Sequence, residues 1–286
     1  MRLSTSLPAG VSALFFDSAA RLRGLESRLA AELEARGFRE AVLPMVDYFA
    51  PYEPLLLAGA RSELYRFADR DGELLALRSD FTPLLARLLA PHLAALELPL
   101  RLFYRGDVVR CPARGAPSEV EQHHIGGELL GSEADGPRLE REAALACARL
   151  LAVASGGRAH MVLGLAGALD ELLVAAVGRE RAPELARAVA RRERGASRFA
   201  SAGPAAAAGE AIAEIIDLGA PSVATLLGER GARALAGLEN LRQELALVEP
   251  AVRVSIDLAE FADFANLPIA SGPTDSAARD FRPYYD

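Results

Sequence analysis

The chain has 286 residues, 51% of them hydrophobic and 25% charged, which is the composition of a globular protein and not of a disordered or fibrous one. No run approaches the roughly 18 uninterrupted apolar residues of a membrane span, and Met1–Gly10 lacks the charged start and long apolar core of a secretory signal, so the expectation is an intracellular protein without a membrane partner. The net charge of -7 argues against nucleic acid as a partner, because backbone binding requires a surface that neutralises many phosphates.

Two cysteines, Cys111 and Cys147, are too few and too scattered for a disulfide framework, which fits the cytoplasm. All 32 basic residues are arginine. The missing lysines exclude a P-loop lysine, a Schiff-base lysine and a lysine general base.

From Asp17 to Arg36, Leu22, Leu25, Leu29, Ala30 and Leu33 recur at helical spacing, and Gly37 follows as a stop. Phe38 to Met45 reads as a buried strand ending at Leu43-Pro44, since proline cannot donate to a ladder. Glu63 to Ala68 and Glu73 to Arg78 flank Asp69-Arg70-Asp71-Gly72, the turn chemistry of a hairpin. Thr82-Pro83 predicts a helix start with threonine as N-cap and proline at the first helical position. Two strands follow, Leu100 to Arg110 and Glu121 to Gly131. A helix at about Arg138 to Ala154 and a short strand, His160 to Gly164, come next. Leu165 to Leu247 is helical and alanine-rich, broken at Gly203-Pro204 and Ala220-Pro221, and Ala251 to Leu258 reads as a return strand. The expected division is a core over 1–164, a helical insertion over 165–250 and a return to the core over 251–286 that ends abruptly and reads as incomplete.

Several residues could carry chemistry. Asp80 and Thr82 sit where a hairpin strand meets a helix, a junction that could accept hydrogen bonds from an ammonium group or merely cap the helix. Strand alternation puts His124, Gly126 and Glu128 on one face. Gly126 then leaves a space between two polar side chains, which describes either the floor of a small-molecule site or a face that meets water. Arg110, ending the preceding strand, could reach the same face and hold a carboxylate bidentately, or could be a surface arginine. A metal site at Cys111, His123 and His124 is disfavoured because adjacent histidines point to opposite faces of a strand and no ligand spacing is present. No G-x-S-x-G elbow occurs, nor a glycine-rich dinucleotide fingerprint, so no cofactor is expected.

These residues resemble a known family. Leu43-Pro44-Met45 is similar to motif 1 of the class II aminoacyl-tRNA synthetases, and Leu77-Arg78-Ser79-Asp80-Phe81-Thr82 is similar to the histidyl-tRNA synthetase stretch L-R-P-E-x-T. Aspartate in place of that glutamate is typical of a paralogue group, the regulatory subunits of ATP phosphoribosyltransferase. Arg101 to Arg110 through Gly126-Gly127-Glu128-Leu129-Leu130-Gly131 resembles motif 2. The resemblance implies an α+β fold, a class II synthetase-like antiparallel sheet flanked by helices with a helical insertion. It also implies a dimer interface near Pro44 and an amino-acid pocket. In that pocket Asp80 and Thr82 take the amino group, Arg110 the carboxylate, and Glu128 with Tyr284 and Tyr285 the imidazole of histidine. His124 stands where the family usually has glutamine.

The departures from the family decide what to expect of activity. Pro112 and Gln122 occupy positions where the synthetases carry an acid that helps hold ATP and an aromatic that stacks on adenine. No glycine-rich motif 3 follows, and Arg279 and Arg282 are out of step with Tyr284-Tyr285 for the signature R-G-L-D-Y-Y. The reading is a non-catalytic regulatory subunit in histidine biosynthesis with no active site of its own. Its expected partners are the short-form ATP phosphoribosyltransferase catalytic subunit and a second copy of itself, with free histidine as the candidate ligand. The alternatives are a truncated histidyl-tRNA synthetase and a stand-alone synthetase-like amino-acid-binding module.

Overall fold

The computed structural model describes residues 7–53, 64–111, 119–165, 167–193, 206–221 and 224–260. These fall into two compact units that divide between Ala146 and Cys147.

In the first unit, helix α1 (Phe16–Ala35) buries Glu26, Leu29, Ala30 and Leu33, the one-sided spacing of an amphipathic helix. Its end is set by Gly37, whose φ of 83° is left-handed. The Gly37 N–H donates to the Glu34 carbonyl and the Phe38 N–H to the Leu33 carbonyl, the pairing that satisfies the last carbonyls of a helix. The expected strand over Phe38 to Met45 is much shorter. Only β1 (Arg39–Glu40) joins a ladder, parallel to β5, and both of its residues are exposed. The chain then leaves that sheet through Leu43-Pro44, and β2 (Val46–Tyr48) joins a different one. Pro44 has no N–H to continue the β1 ladder, and Arg78 Nη1 donates to the carbonyls of Leu43 and Pro44 at 2.7 and 3.1 Å, holding the crossover in place.

The second sheet has the order β2-β4-β3, antiparallel throughout, from β3 (Arg66–Ala68) and β4 (Leu74–Leu77). Its hairpin turn follows the expected chemistry. Asp69 Oδ1 accepts the backbone N–H groups of Asp71 and Glu73, both at 2.9 Å, and Gly72 supplies a φ of 87°.

Helix α2 (Thr82–Leu89) begins one residue earlier than the capping rule predicts. Phe81 is at the N-cap and Thr82 is already helical, with Pro83 in the first turn. Asp80 Oδ1 accepts the Thr82 N–H at 3.0 Å, so Asp80 satisfies the helix start and the Thr82 hydroxyl is released for other use. The long strands β5 (Leu100–Val109) and β6 (Glu121–Leu130) pair antiparallel over ten residues each. Between α2 and β5 lies a core of Phe81, Leu85, Tyr104 and Val108. Arg101 of β5 makes a two-pronged ion pair with Glu142 of α3 (Gly136–Ser155), at 2.5 and 2.9 Å.

In the second unit, β7 (Ala159–Leu163) pairs parallel with β8 (Val252–Ile256). The strand expected to return to the core therefore pairs with β7. Between them run α4 (Asp170–Val177), α5 (Ala182–Ala190), α6 (Ala206–Leu218) and α7 (Gly228–Val248). Their shared core includes Leu172, Leu185, Val189, Ile212, Ile215 and Leu227. Among the described residues no helix is long and apolar enough to cross a membrane.

Candidate functional site

The site is built on the β5–β6 pair and the turn that leads into α2. In an antiparallel ladder, residues directly opposite share a face. The register places Gly106 opposite His124, Tyr104 opposite Gly126 and Leu102 opposite Glu128, so His124, Gly126 and Glu128 lie on one face as alternation requires. His123 points the other way. Its Nδ1 lies 2.8 Å from Asp107 Oδ1 and its Nε2 3.6 Å from Glu26 Oε1 of α1. Among the described residues no three histidine, cysteine, aspartate or glutamate side chains are grouped to hold a metal ion.

Glu128 is where the elements meet. The Thr82 hydroxyl donates to Glu128 Oε1 at 2.6 Å, across 46 residues of sequence, and the Tyr104 hydroxyl donates to the same oxygen at 3.2 Å. The two hydroxyls are 3.5 Å apart. Burial, and after it the negative charge of Glu128, pushes the Tyr104 phenol well above its ordinary value, so it remains protonated and a donor. The space at Gly126 that the sequence leaves open above the strand is filled by the Tyr104 ring: a Cβ at Gly126 would stand 2.7 Å from Tyr104 Cε2 and from its hydroxyl oxygen.

Arg110 continues from β5 toward the same turn. Its Nε donates to the carbonyl of Ser79 at 3.0 Å, next to Asp80, and its terminal amino groups make no hydrogen bond among the described residues. The guanidinium is thus anchored at one edge. Arg78 supports the arrangement from below. Its Nε and Nη2 donate to the Asp107 carbonyl at 3.1 and 2.7 Å, and its guanidinium lies 3.9 Å from the centre of the Phe81 ring. Phe81 in turn stacks on Tyr104 with centroids 4.3 Å apart and planes 8° apart. Gly106 allows this approach, because a Cβ there would meet Arg78 Nη2 at 3.1 Å.

The structure therefore brings Thr82 and Glu128 into direct contact and ties Asp80 and Arg110 to the turn beside them. His124 sits on the shared face with its Nε2 3.2 Å from Gln122 Oε1. Tyr284, Tyr285 and Pro112 lie outside the described residues. Tyr104 escapes sequence reasoning as a site residue, because its alternation reads equally as core. The signal that could have found it is the glycine at 126, which needs a large cross-strand neighbour, but only the register identifies that neighbour.

The β5–β6 pair and the turn into α2, whose Thr82 hydroxyl donates to Glu128, form the candidate site of an α+β core. The histidyl-tRNA synthetase family model matches residues 10–266, and the chain belongs to that family. Its particular branch is the ATP phosphoribosyltransferase regulatory subunits. It is 41% identical over 130 residues to the one from Moorella thermoacetica, covering 46% of this chain and 33% of the relative. It is 32% identical over 258 residues to the one from Anaeromyxobacter dehalogenans, covering 88% of this chain and 72% of the relative. The chain spans 33% and 43% of the length of the curated relatives from Moorella thermoacetica and Symbiobacterium thermophilum. Among solved structures, the fold is similar to an ATP phosphoribosyltransferase regulatory subunit/histidyl-tRNA synthetase from Bacillus halodurans, with a TM-score of 0.76 at 21% identity over 91% of this chain and 69% of that one. It is also similar to an ATP phosphoribosyl transferase (HisG:HisZ) complex from Thermotoga maritima, with a TM-score of 0.58 at 16% identity over 85% of this chain and 82% of that one.

Proposed function

We propose that the chain acts as a regulatory subunit of ATP phosphoribosyltransferase in histidine biosynthesis, binding a short catalytic subunit and supporting its activity without an active site of its own. The observation that carries this reading is the 32% identity to a regulatory subunit across 88% of the chain. The site supports a companion reading, in which free histidine is the ligand. Asp80 and Thr82 supply acceptors for its ammonium group, the terminal amino groups of Arg110 a bidentate donor for its carboxylate, and Glu128 an acceptor for an imidazole N–H. The chain also forms a homodimer through the surface around Pro44, where Val42, Val46 and Tyr48 are exposed.

The test is reconstitution. The short catalytic subunit from the same genome, mixed with increasing amounts of this chain, is expected to form phosphoribosyl-ATP from ATP and phosphoribosyl pyrophosphate at a rate that rises and saturates with the chain. An unchanged rate at saturation, with no complex by size exclusion, would sink the regulatory reading. Histidine-dependent exchange of pyrophosphate into ATP by the chain alone would instead identify a synthetase.

A further inference from the structure

We infer that Tyr104 is a positioning residue of the ligand site, holding Glu128 as the charged acceptor that reads an N–H on the ligand's side chain. The inference rests on the reading of this site as an amino-acid pocket. The stack on Phe81 and the facing glycine together fix where the Tyr104 hydroxyl stands. Its ring stacks on Phe81 at 4.3 Å. The β5–β6 register sets it directly across from Gly126. The missing side chain at Gly126 admits the ring and hydroxyl at a distance, 2.7 Å, that no Cβ would allow. From that position the hydroxyl reaches the same Glu128 oxygen that takes the Thr82 proton.

Two O–H donors converge on one oxygen of Glu128, the arrangement that suits an ionised carboxylate, which can only accept hydrogen bonds. A protonated glutamic acid at the same place would offer an O–H of its own and would accept side chains that carry no donor. The hydroxyls therefore bear on which amino acid is read, beyond filling space. The same geometry commits the Thr82 proton to Glu128, so the Thr82 oxygen presents lone pairs to whatever else approaches, as an acceptor for an ammonium must. Glu128 thus links the two ends of the ligand, and Tyr104 holds Glu128. A purely structural role would need only the ring, which phenylalanine also has.

A double-mutant cycle on the full chain separates the two roles. L-Histidine binding is measured by calorimetry for the wild type, Tyr104→Phe, Glu128→Gln and the double variant, with melting temperatures recorded for each. Tyr104→Phe keeps the stacked ring and is expected to melt with the wild type, yet to bind histidine about fivefold more weakly, a part of the worth of a hydrogen bond to a charged group. In the Glu128→Gln background the same change should cost less than about twofold, because the group it positions is gone. Gly126→Ala, which displaces the hydroxyl without removing it, should weaken binding in the same direction. Equal losses in both backgrounds, or no loss in the first, would overturn the inference while leaving the pocket reading intact. A wild type that ignores millimolar histidine would remove the pocket reading and this inference with it.

Discussion

Arg110 shows how one side chain can be held and still offered. Its Nε is occupied by the Ser79 carbonyl, which fixes the guanidinium plane and lowers the entropy lost when the remaining donors meet a ligand. A charge-assisted hydrogen bond contributes roughly 1.5–3 kcal/mol, so Arg110→Ala should weaken histidine binding about tenfold or more. Calorimetry at matched pH checks this, and an affinity unchanged within twofold would remove Arg110 from the site. The lysine-free composition bears on the same point. A lysine here would bring a single charged head in place of a planar fork, so Arg110→Lys should restore only part of the loss.

Among the elements, glycines with left-handed φ do two different jobs, and their replacement should reveal which. Gly37 ends α1 with a φ of 83°, and a Cβ there would meet only Arg101 Cδ at 4.0 Å. Gly37→Ala therefore carries the backbone cost alone, about 1–2 kcal/mol. Gly219 ends α6 with a φ of 86°, and its Cβ would stand 2.6 Å from the Ile256 carbonyl oxygen and 3.1 Å from Asp257 Cα. The Gly219 carbonyl also accepts the Leu258 N–H at 2.7 Å, so the backbone cannot withdraw without losing a hydrogen bond. Gly219→Ala should cost about 3 kcal/mol or more, adding overpacking to strain. The chain has no tryptophan, so urea unfolding followed by far-ultraviolet circular dichroism is the measurement. Equal midpoints for the two variants would refute the distinction.

For the molecule as a whole, the proposed homodimer is read from exposed apolar side chains on either side of Pro44. Val42 is 89% exposed and Tyr48 54%, and Phe67 and Leu74 of the neighbouring strands are also exposed. Exposed apolar side chains can mark an interaction surface, and the proposed occupant is a second copy related by closed symmetry. Light scattering is expected to return about twice the 30.3 kDa of the chain. Val42→Asp together with Tyr48→Asp should shift the equilibrium to the monomer without lowering helical content. A monomeric wild type at micromolar concentration would count against the proposed dimer.

The sequence by itself determined the elements whose cause is local. The spacing of Leu29, Ala30 and Leu33 with Gly37 after them fixes α1 and its end, since helix periodicity and the sign of φ depend on neighbouring residues alone. Asp69 and Gly72 fix the hairpin turn for the same reason. The motif around Asp80, Thr82, Arg110 and Glu128 was legible too, as a set of residue types with a family resemblance. Only the tertiary structure decided what those residues do to one another. Thr82 reads as a cap because local rules see only its own helix, whereas its hydroxyl turns to a carboxylate 46 residues away. Phe38 to Met45 reads as one strand, yet only Arg39 and Glu40 of it join a sheet and the next strand, from Val46, belongs to another, because strand length is set by the neighbours available for pairing. Tyr104 gained its place through the register that faces it with Gly126. A one-residue slip would send every side chain of that strand to the opposite face, and no pattern within a single strand specifies which residue of another strand it will meet.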